Sequence, residues 1–305
     1  MSGFPLFVAA GEALTDMIVQ DAALQRWLSQ TGGSTWNVAR AMARLDVPSA
    51  FAGAVSRDVF GDALYQASAA ARLDLRFLQQ VDKSPLLAIV HRTEPPAYFF
   101  VGDDSADLHF DASLLPQGWQ AHCQWAHFGG ISLARQPLAD KLLALARSLK
   151  QHGVKISYDP NHRVLMDQCY DATLRQMTEL ADVIKVSEED LAGLFRTQDT
   201  AAAFATLRGW NPSATILYTR GEAGASLHIG SHVWRQPAPR VAVADTVGAG
   251  DASIAALAFS MLRHPGREPL RHLQFAVAAG AAACQSPGAT PPSLAAIESL
   301  LPGPG

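Results

Sequence analysis

Asp245-Thr246-Val247-Gly248-Ala249-Gly250-Asp251-Ala252 runs directly into Ser253-Ile254-Ala255-Ala256-Leu257-Ala258-Phe259-Ser260-Met261-Leu262, a stretch of helical composition with apolar side chains nearly all round. A helix of that kind is buried, so the octet is a glycine-rich entry into a core helix. Its two glycines reach backbone conformations closed to other residues, and the N–H groups of Ala249, Gly250 and Asp251 can converge on one point at the positive end of the helix. The developing charge of a phosphate fits there. A carboxylate normally would not, so Asp251 makes sense beside an anion cradle if it accepts the proton of a hydroxyl attacking phosphorus. The same residues also fit a tight turn in which Asp251 simply interacts well with a helix N-terminus.

The chain has 305 residues, 49% hydrophobic and 17% charged, enough to bury a large core as one big domain or as a main domain with an appendage. Its net charge of -4, with no basic run, argues against a nucleic-acid groove and against electrostatic attachment to a membrane. Cys123, Cys169 and Cys284 are far apart and form no Cys/His cluster for zinc. A reducing cytoplasm is therefore the expected setting. Phe4 to Ala10 is interrupted by Pro5 and followed at once by Gly11-Glu12, which reads as a first strand and not as a signal peptide. No segment approaches the ~20 apolar residues of a membrane span.

From about residue 120 onward, the β-rich runs Trp125 to Phe128, Lys155 to Tyr158, Val183 to Val186 and Thr215 to Tyr218 alternate with helical stretches over 138–152, 170–180 and 201–208. This βαβ series predicts a three-layer α/β/α fold with a mainly parallel central sheet. Leu86 to His91 and Ala97 to Val101 flank Thr93-Glu94-Pro95-Pro96 and read as a hairpin. With Phe7 to Ala10, Met17 to Val19 and Leu75 to Val81, the hairpin could form a small β-sheet lid or dimer surface. The expected organisation is a single domain over 1–305, with lid strands drawn from about 12–20 and 74–110.

Ligands of open parallel sheets bind beyond the carboxyl ends of the strands. Gly11 to Asp16, Asp159-Pro160-Asn161-His162-Arg163, Ser187 to Asp190 and Thr219 to Gly224 all fall at such ends. Each alone also fits a turn or a helix cap, Ser187 for example as an N-cap with Asp190 at its third position. Their joint placement with the octet favours a site. Gly32-Gly33-Ser34-Thr35-Trp36-Asn37 opens another helix, where paired glycines admit a ligand to the backbone and the Asn37 amide can both donate and accept to neighbouring hydroxyls. Ser34 as the helix cap explains the same segment about as well.

With these motifs the chain resembles the ribokinase-like (PfkB) carbohydrate kinases over nearly its whole length, and Ser105-Ala106-Asp107, Asp159 to Arg163 and Val183 to Glu189 look most like the bacterial fructokinase branch. The resemblance implies that Asp251 is the catalytic base and that Gly248, Ala249 and Gly250 shape the anion hole. It matches Asp16, Gly32, Gly33 and Asn37 to the sugar, with Tyr98 from the lid, and Arg163 to the substrate and transferred phosphate. Lys185, Ser187, Thr219, Gly221 and Gly224 match the nucleotide side. Asp245, the carbonyl of Val247 and the stretch Ala283 to Gly288 match a monovalent-cation site, expected to hold K+. Mg2+ would arrive with ATP, kept largely by water and phosphate, with Asp190 a ligand through water.

Two positions depart from the family. Its Asn-x-x-Glu element reads Ser187-Glu188-Glu189-Asp190 here, and Trp36 precedes Asn37 where many relatives carry a small residue. The implied substrates are a small-molecule sugar and ATP, with fructose first and 2-keto-3-deoxygluconate, ribose and nucleosides behind it. No nucleic acid or membrane partner is implied, and a homodimer could form through the lid. A dinucleotide-binding oxidoreductase would want Gly-x-Gly-x-x-Gly where Gly248 to Ser253 ends in serine, and no Gly-x-x-x-x-Gly-Lys-Ser/Thr occurs. A non-catalytic sugar- or nucleotide-binding relative is the alternative of another class, and Asp251 argues against it.

Overall fold

The computed structural model describes residues 3–21, 23–93 and 96–303. The strands are β1 (Phe7–Ala10), β2 (Leu14–Val19), β3 (Trp27–Gly32), β4 (Ser49–Ser56), β5 (Leu78–Val81), β6 (Leu87–Thr93), β7 (Pro96–Val101) and β8 (Trp125–Gly129), followed by β9 (Lys155–Asp159), β10 (Val183–Ser187), β11 (Thr215–Thr219), β12 (Ala225–Ile229) and β13 (His232–Gln236). The α-helices are α1 (Ser34–Arg44), α2 (Val59–Ala70), α3 (Leu138–Gln151), α4 (Asp171–Leu180), α5 (Glu188–Phe195), α6 (Thr200–Trp210), α7 (Ala249–Arg263), α8 (Pro269–Ala283) and α9 (Leu294–Glu298). Among the described residues, none forms a helix long and apolar enough to cross a membrane.

Nine strands form one sheet in the order β13-β12-β11-β10-β9-β8-β1-β4-β5, and the pairings from β11 to β5 are all parallel. Only the β12–β13 edge runs antiparallel. All four residues of β1 are buried because both faces of the sheet are covered. Val8 and Ala10 join the core beneath α3, α4, α5 and α6, whereas Phe7 and Ala9 join the core beneath α1, α2, α7, α8 and α9. Strict alternation along one strand thus feeds two cores, and the three-layer α/β/α architecture follows.

A separate four-stranded sheet has the order β3-β2-β6-β7. It corrects the expected strand list. Phe7 to Ala10 and Leu78 to Val81 belong to the main sheet as β1 and β5, and the place beside β2 is taken by β3. The polar, half-exposed run Trp27–Gly32 carries no apolar alternation to announce it. The hairpin strands pair as expected, while Glu94 and Pro95 of its turn lie outside the described residues.

Candidate active site

Gly248 caps α7 at φ 81°, a left-handed conformation that a side chain would strain. A Cβ there would also stand 2.8 Å from the Ala289 side chain. Neither α7 nor α1, which starts after Gly33 at φ 113°, has a side-chain cap on its first turn. The Ala249 N–H donates to the Thr246 carbonyl at 3.2 Å. Of the three donors expected to converge, this leaves the Gly250 and Asp251 N–H groups at a helix end whose dipole favours negative charge.

Asp251 is 8% exposed and lies where α1 and α7 meet. Its Oδ1 accepts from Ser34 Oγ at 2.8 Å and its Oδ2 from Asn37 Nδ2 at 2.9 Å. Burial pushes its pKa up, and the Asn37 and Ser34 donors with the Lys185 and Arg163 charges pull it back. The Asn37 Oδ1 is buried and unpartnered, an acceptor free to face a hydroxyl. Ser34 is not the helix cap that the sequence left open as an alternative; the cap is Gly33, and the Ser34 hydroxyl donates to the carboxylate instead. Only the separation of 217 residues hid this contact.

The carboxyl ends of β9 and β10 bring Asp159 and Lys185 together. Lys185 Nζ lies 3.1 Å from Asp159 Oδ2 and 3.5 Å from Asp190 Oδ2, all three side chains being buried. Burial raises the Asp159 carboxyl to about 7 against the pull of Lys185. Asp190 goes the other way: burial would raise it, but Lys185 and the N–H groups of Ser187 and His162 outweigh that and hold it low. Both its oxygens are engaged, Oδ1 by His162 N–H and Oδ2 by Ser187 N–H, each at 2.8 Å, and Ser187 and Asp190 form a reciprocal capping box on α5. The Asp190 carboxylate therefore serves the backbone and Lys185. Arg163 is steered by the Asn161 carbonyl at 3.1 Å, the Asn161 side chain at 2.7 Å and the His162 carbonyl at 2.8 Å.

On the small sheet, Asp16 pairs across the strands with Gln30 on one side and Ala88 on the other. Burial pushes the Asp16 carboxyl up to about 6, with the Arg163 charge opposing. That coupling places Asp16 toward the strand-end residues of the main sheet. A Cβ on Gly32 would meet Asp16 Oδ2, so a side chain there would turn that carboxylate aside. By register Tyr98 shares this face, beside Val90 and one row beyond the Ala88–Phe100 pair. Trp36 does not line the cleft. It is fully buried in the core under α1, its Nε1–H donates to Ser68 Oγ at 2.9 Å, and Arg40 stacks over the ring at 4.3 Å.

Thr219 ends β11, and its Oγ1 donates to the Val186 carbonyl at 3.4 Å. Gly221 opens the short turn after it, and Gly224 packs so tightly on Gln236, Pro237 and Ala238 that no side chain fits. Beyond that contact, a hollow of about 200 Å³ opens between Pro237, Pro239, Val277, Ala278 and Leu300. Asp245 laces two segments together: Oδ1 accepts from Val247 N–H at 3.0 Å and Oδ2 from Gly288 N–H at 2.9 Å, while Ala244 N–H donates to the Cys284 carbonyl at 2.8 Å. The Ala283 carbonyl, at the end of α8, accepts from Ser286 N–H. These carboxylate and carbonyl oxygens are a hard donor set, suited to a hard cation. A narrow crevice is lined by Asn37, Gly248, Asp251, Ala289 and Thr290.

Residues 6–296 match the family model described as pfkB family carbohydrate kinase. A fructokinase of Klebsiella pneumoniae is 31% identical over 264 residues, 83% of each chain. Among solved structures, the fructokinase of Xylella fastidiosa with bound ATP superimposes with a TM-score of 0.88 at 26% identity, covering 97% of this chain and 98% of that one. A double mutant of the fructokinase of Vibrio cholerae O395, bound to fructose, ADP and a potassium ion, gives 0.85 at 28% identity, covering 99% and 100%.

Proposed function

Since the chain belongs to the pfkB family of carbohydrate kinases and is a sugar kinase, we propose that it transfers the γ-phosphate of ATP to a hydroxyl of fructose, with Asp251 as general base. The observation that carries this reading is the Asp251 carboxylate, buried at an uncapped helix N-terminus and held at both oxygens by α1. Such a group is positioned, screened from water and adjacent to anion-stabilising N–H donors.

In the proposed step the sugar hydroxyl attacks the γ-phosphorus in line. Its O–H proton passes to Asp251, the new O–P bond forms, and the bond to the β-phosphate oxygen breaks to release ADP. The Gly250 and Asp251 N–H groups with Lys185 and Arg163 meet the charge that develops on the transferred group. Asp16 and Asn37 orient the sugar, and the small sheet with Tyr98 closes over it as a lid that excludes water. The Thr219 to Gly224 turn takes the nucleotide phosphates and ribose, and the apolar hollow beside Val277 and Ala278 suits the adenine. Mg2+ bound to ATP supplies charge neutralisation; few carboxylates are needed for it, because Mg2+ keeps several waters. Asp245, the Val247 carbonyl and the 283–288 carbonyls would hold K+, whose charge would steady the anion hole from behind.

Fructose is favoured over 2-keto-3-deoxygluconate, ribose and nucleosides by the fructokinases among the relatives. The outward face of the small sheet carries Met17, Leu87, Ile89, Phe99 and Val101, with Phe99 52% and Val101 47% exposed. Pairing of two lids would cover that apolar face, and a homodimer is part of the proposal. The deciding experiment is ADP release from ATP and Mg2+ across a panel of sugars, with and without potassium. Fructose giving the highest kcat/KM supports the assignment, and a different preferred sugar replaces it.

A further inference from the structure

We infer that Ser34 is a positioning residue for the base: its hydroxyl fixes the rotation of the Asp251 carboxylate and holds that group as a proton acceptor. The inference rests on the reading of Asp251 as general base. Ser34 is the first residue of α1, and Gly33 before it is the N-cap. A serine one position earlier would cap its own helix. Placed here, its Oγ reaches across to Asp251 Oδ1 at 2.8 Å.

The placement is enforced from three sides. Gly33 has φ 113°, and a Cβ on it would stand 2.7 Å from the Glu12 carbonyl, so only glycine brings α1 this close to the segment between β1 and β2. Thr35 Oγ1 donates to that same Glu12 carbonyl at 2.9 Å. Trp36 Nε1–H is fixed on Ser68. Thr35 and Trp36 thus anchor the first turn, and Ser34 and Asn37, three residues apart on one face of the helix, each take a different oxygen of Asp251.

Two donors on two oxygens leave one rotation of the carboxylate favoured over all others, and each oxygen retains a lone pair for the incoming hydroxyl. Ser34 keeps its own proton throughout; the proton moved is that of the sugar. The other charged groups facing Asp251 are Lys185 from β10, Arg163 from the loop after β9 and Asp159 from the end of β9. The first two favour the ionised base and the third opposes it. Without the Ser34 donor, burial gains weight and the base holds its proton to higher pH.

The test is the pH profile of kcat/KM for the sugar in Ser34→Ala and Ser34→Thr, measured on the full chain. The alanine variant is expected to lose about ten-fold, the worth of a hydrogen bond to a charged group, with its acid limb moved to higher pH and KM for ATP unchanged. The threonine variant, which keeps the hydroxyl, is expected to keep the wild-type limb. An alanine profile superimposed on the wild type, or a threonine variant displaced as far as alanine, overturns the role of Ser34. Asp251→Asn, run alongside, separates the two levels: if it keeps its turnover the base itself is wrong, whereas if it is inactive and Ser34→Ala is unchanged, only Ser34 is.

Discussion

The ammonium of Lys185 stands directly beside Gly250: a Cβ on that glycine would lie 3.0 Å from Nζ. Asp159 and Asp190 hold the ammonium there from the other side. The second glycine of the octet thus makes room for the Lys185 ammonium beside the start of α7. Gly250→Ala is expected to displace the ammonium and lower kcat strongly, with a melting temperature near the wild type. A fully active Gly250→Ala enzyme would show that Lys185 does not need this position.

Lys185→Met should behave differently. It strands Asp159 and Asp190 without their counter-charge, and breaking a buried pair in this way costs about 3–5 kcal/mol. Chemical denaturation should show that loss along with inactivity. Unchanged stability would mean that Lys185 does not stabilise the buried Asp159 and Asp190 carboxyls.

The βαβ alternation made the main sheet legible, because strands buried on both faces read as short apolar runs. The octet drew attention to Asp251, and the joint placement of the other strand-end motifs, more than the octet alone, favoured a site over a turn and cap. What stayed hidden has physical reasons. Strand β3 is polar and half-exposed, so its residues carry no hydrophobic period. The runs of β1 and β5 resemble any short apolar strand, and sequence alone does not say which sheet they join. Ser34 and Trp36 needed the third dimension: the hydroxyl turns to a helix far along the chain, and the ring that stood next to the sugar motif turns away into the core.

Glu12 gives a pH signature in stability. Burial outweighs the Ser132 donors, and with a smaller push from Asp107 it lifts the carboxyl from an ordinary 4.5 to about 7. Between those values the folded protein keeps a proton that the unfolded chain has released. Its contribution is therefore complete at low pH and is lost as pH rises through about 7, a change on the order of 3 kcal/mol. Glu12→Gln, which keeps an acceptor for Ser132, should gain stability over the wild type across that window in urea titrations. A difference that does not vary with pH would contradict the assignment.

Asp16, lifted to about 6 by burial against the pull of Arg163, should make sugar binding pH-dependent. As pH falls through about 6 the carboxylate is protonated and loses its acceptor role, so the Kd for sugar should rise on the acid side. Asp16→Asn should bind more weakly, by about ten-fold, and with a flat profile by calorimetry. Retention of the wild-type pH dependence in that variant would place the titrating group elsewhere.

Asp245 ties Val247 to Gly288, so its loss should loosen the proposed cation loop. Potassium should stimulate ADP release by the wild type, and Asp245→Ala should lose most of that response while the fold persists by circular dichroism. An equal response in both proteins would remove Asp245 from the cation site.

The base assignment is tested most directly by single-turnover phosphoryl transfer in Asp251→Asn, with ATP binding measured on the same protein. The amide keeps the shape and a hydrogen-bond acceptor but cannot take the proton, so nucleotide binding should persist while turnover falls by at least the ~10²–10⁴ expected of general acid–base catalysis. Turnover near that of the wild type would show that another group, or none, removes the proton.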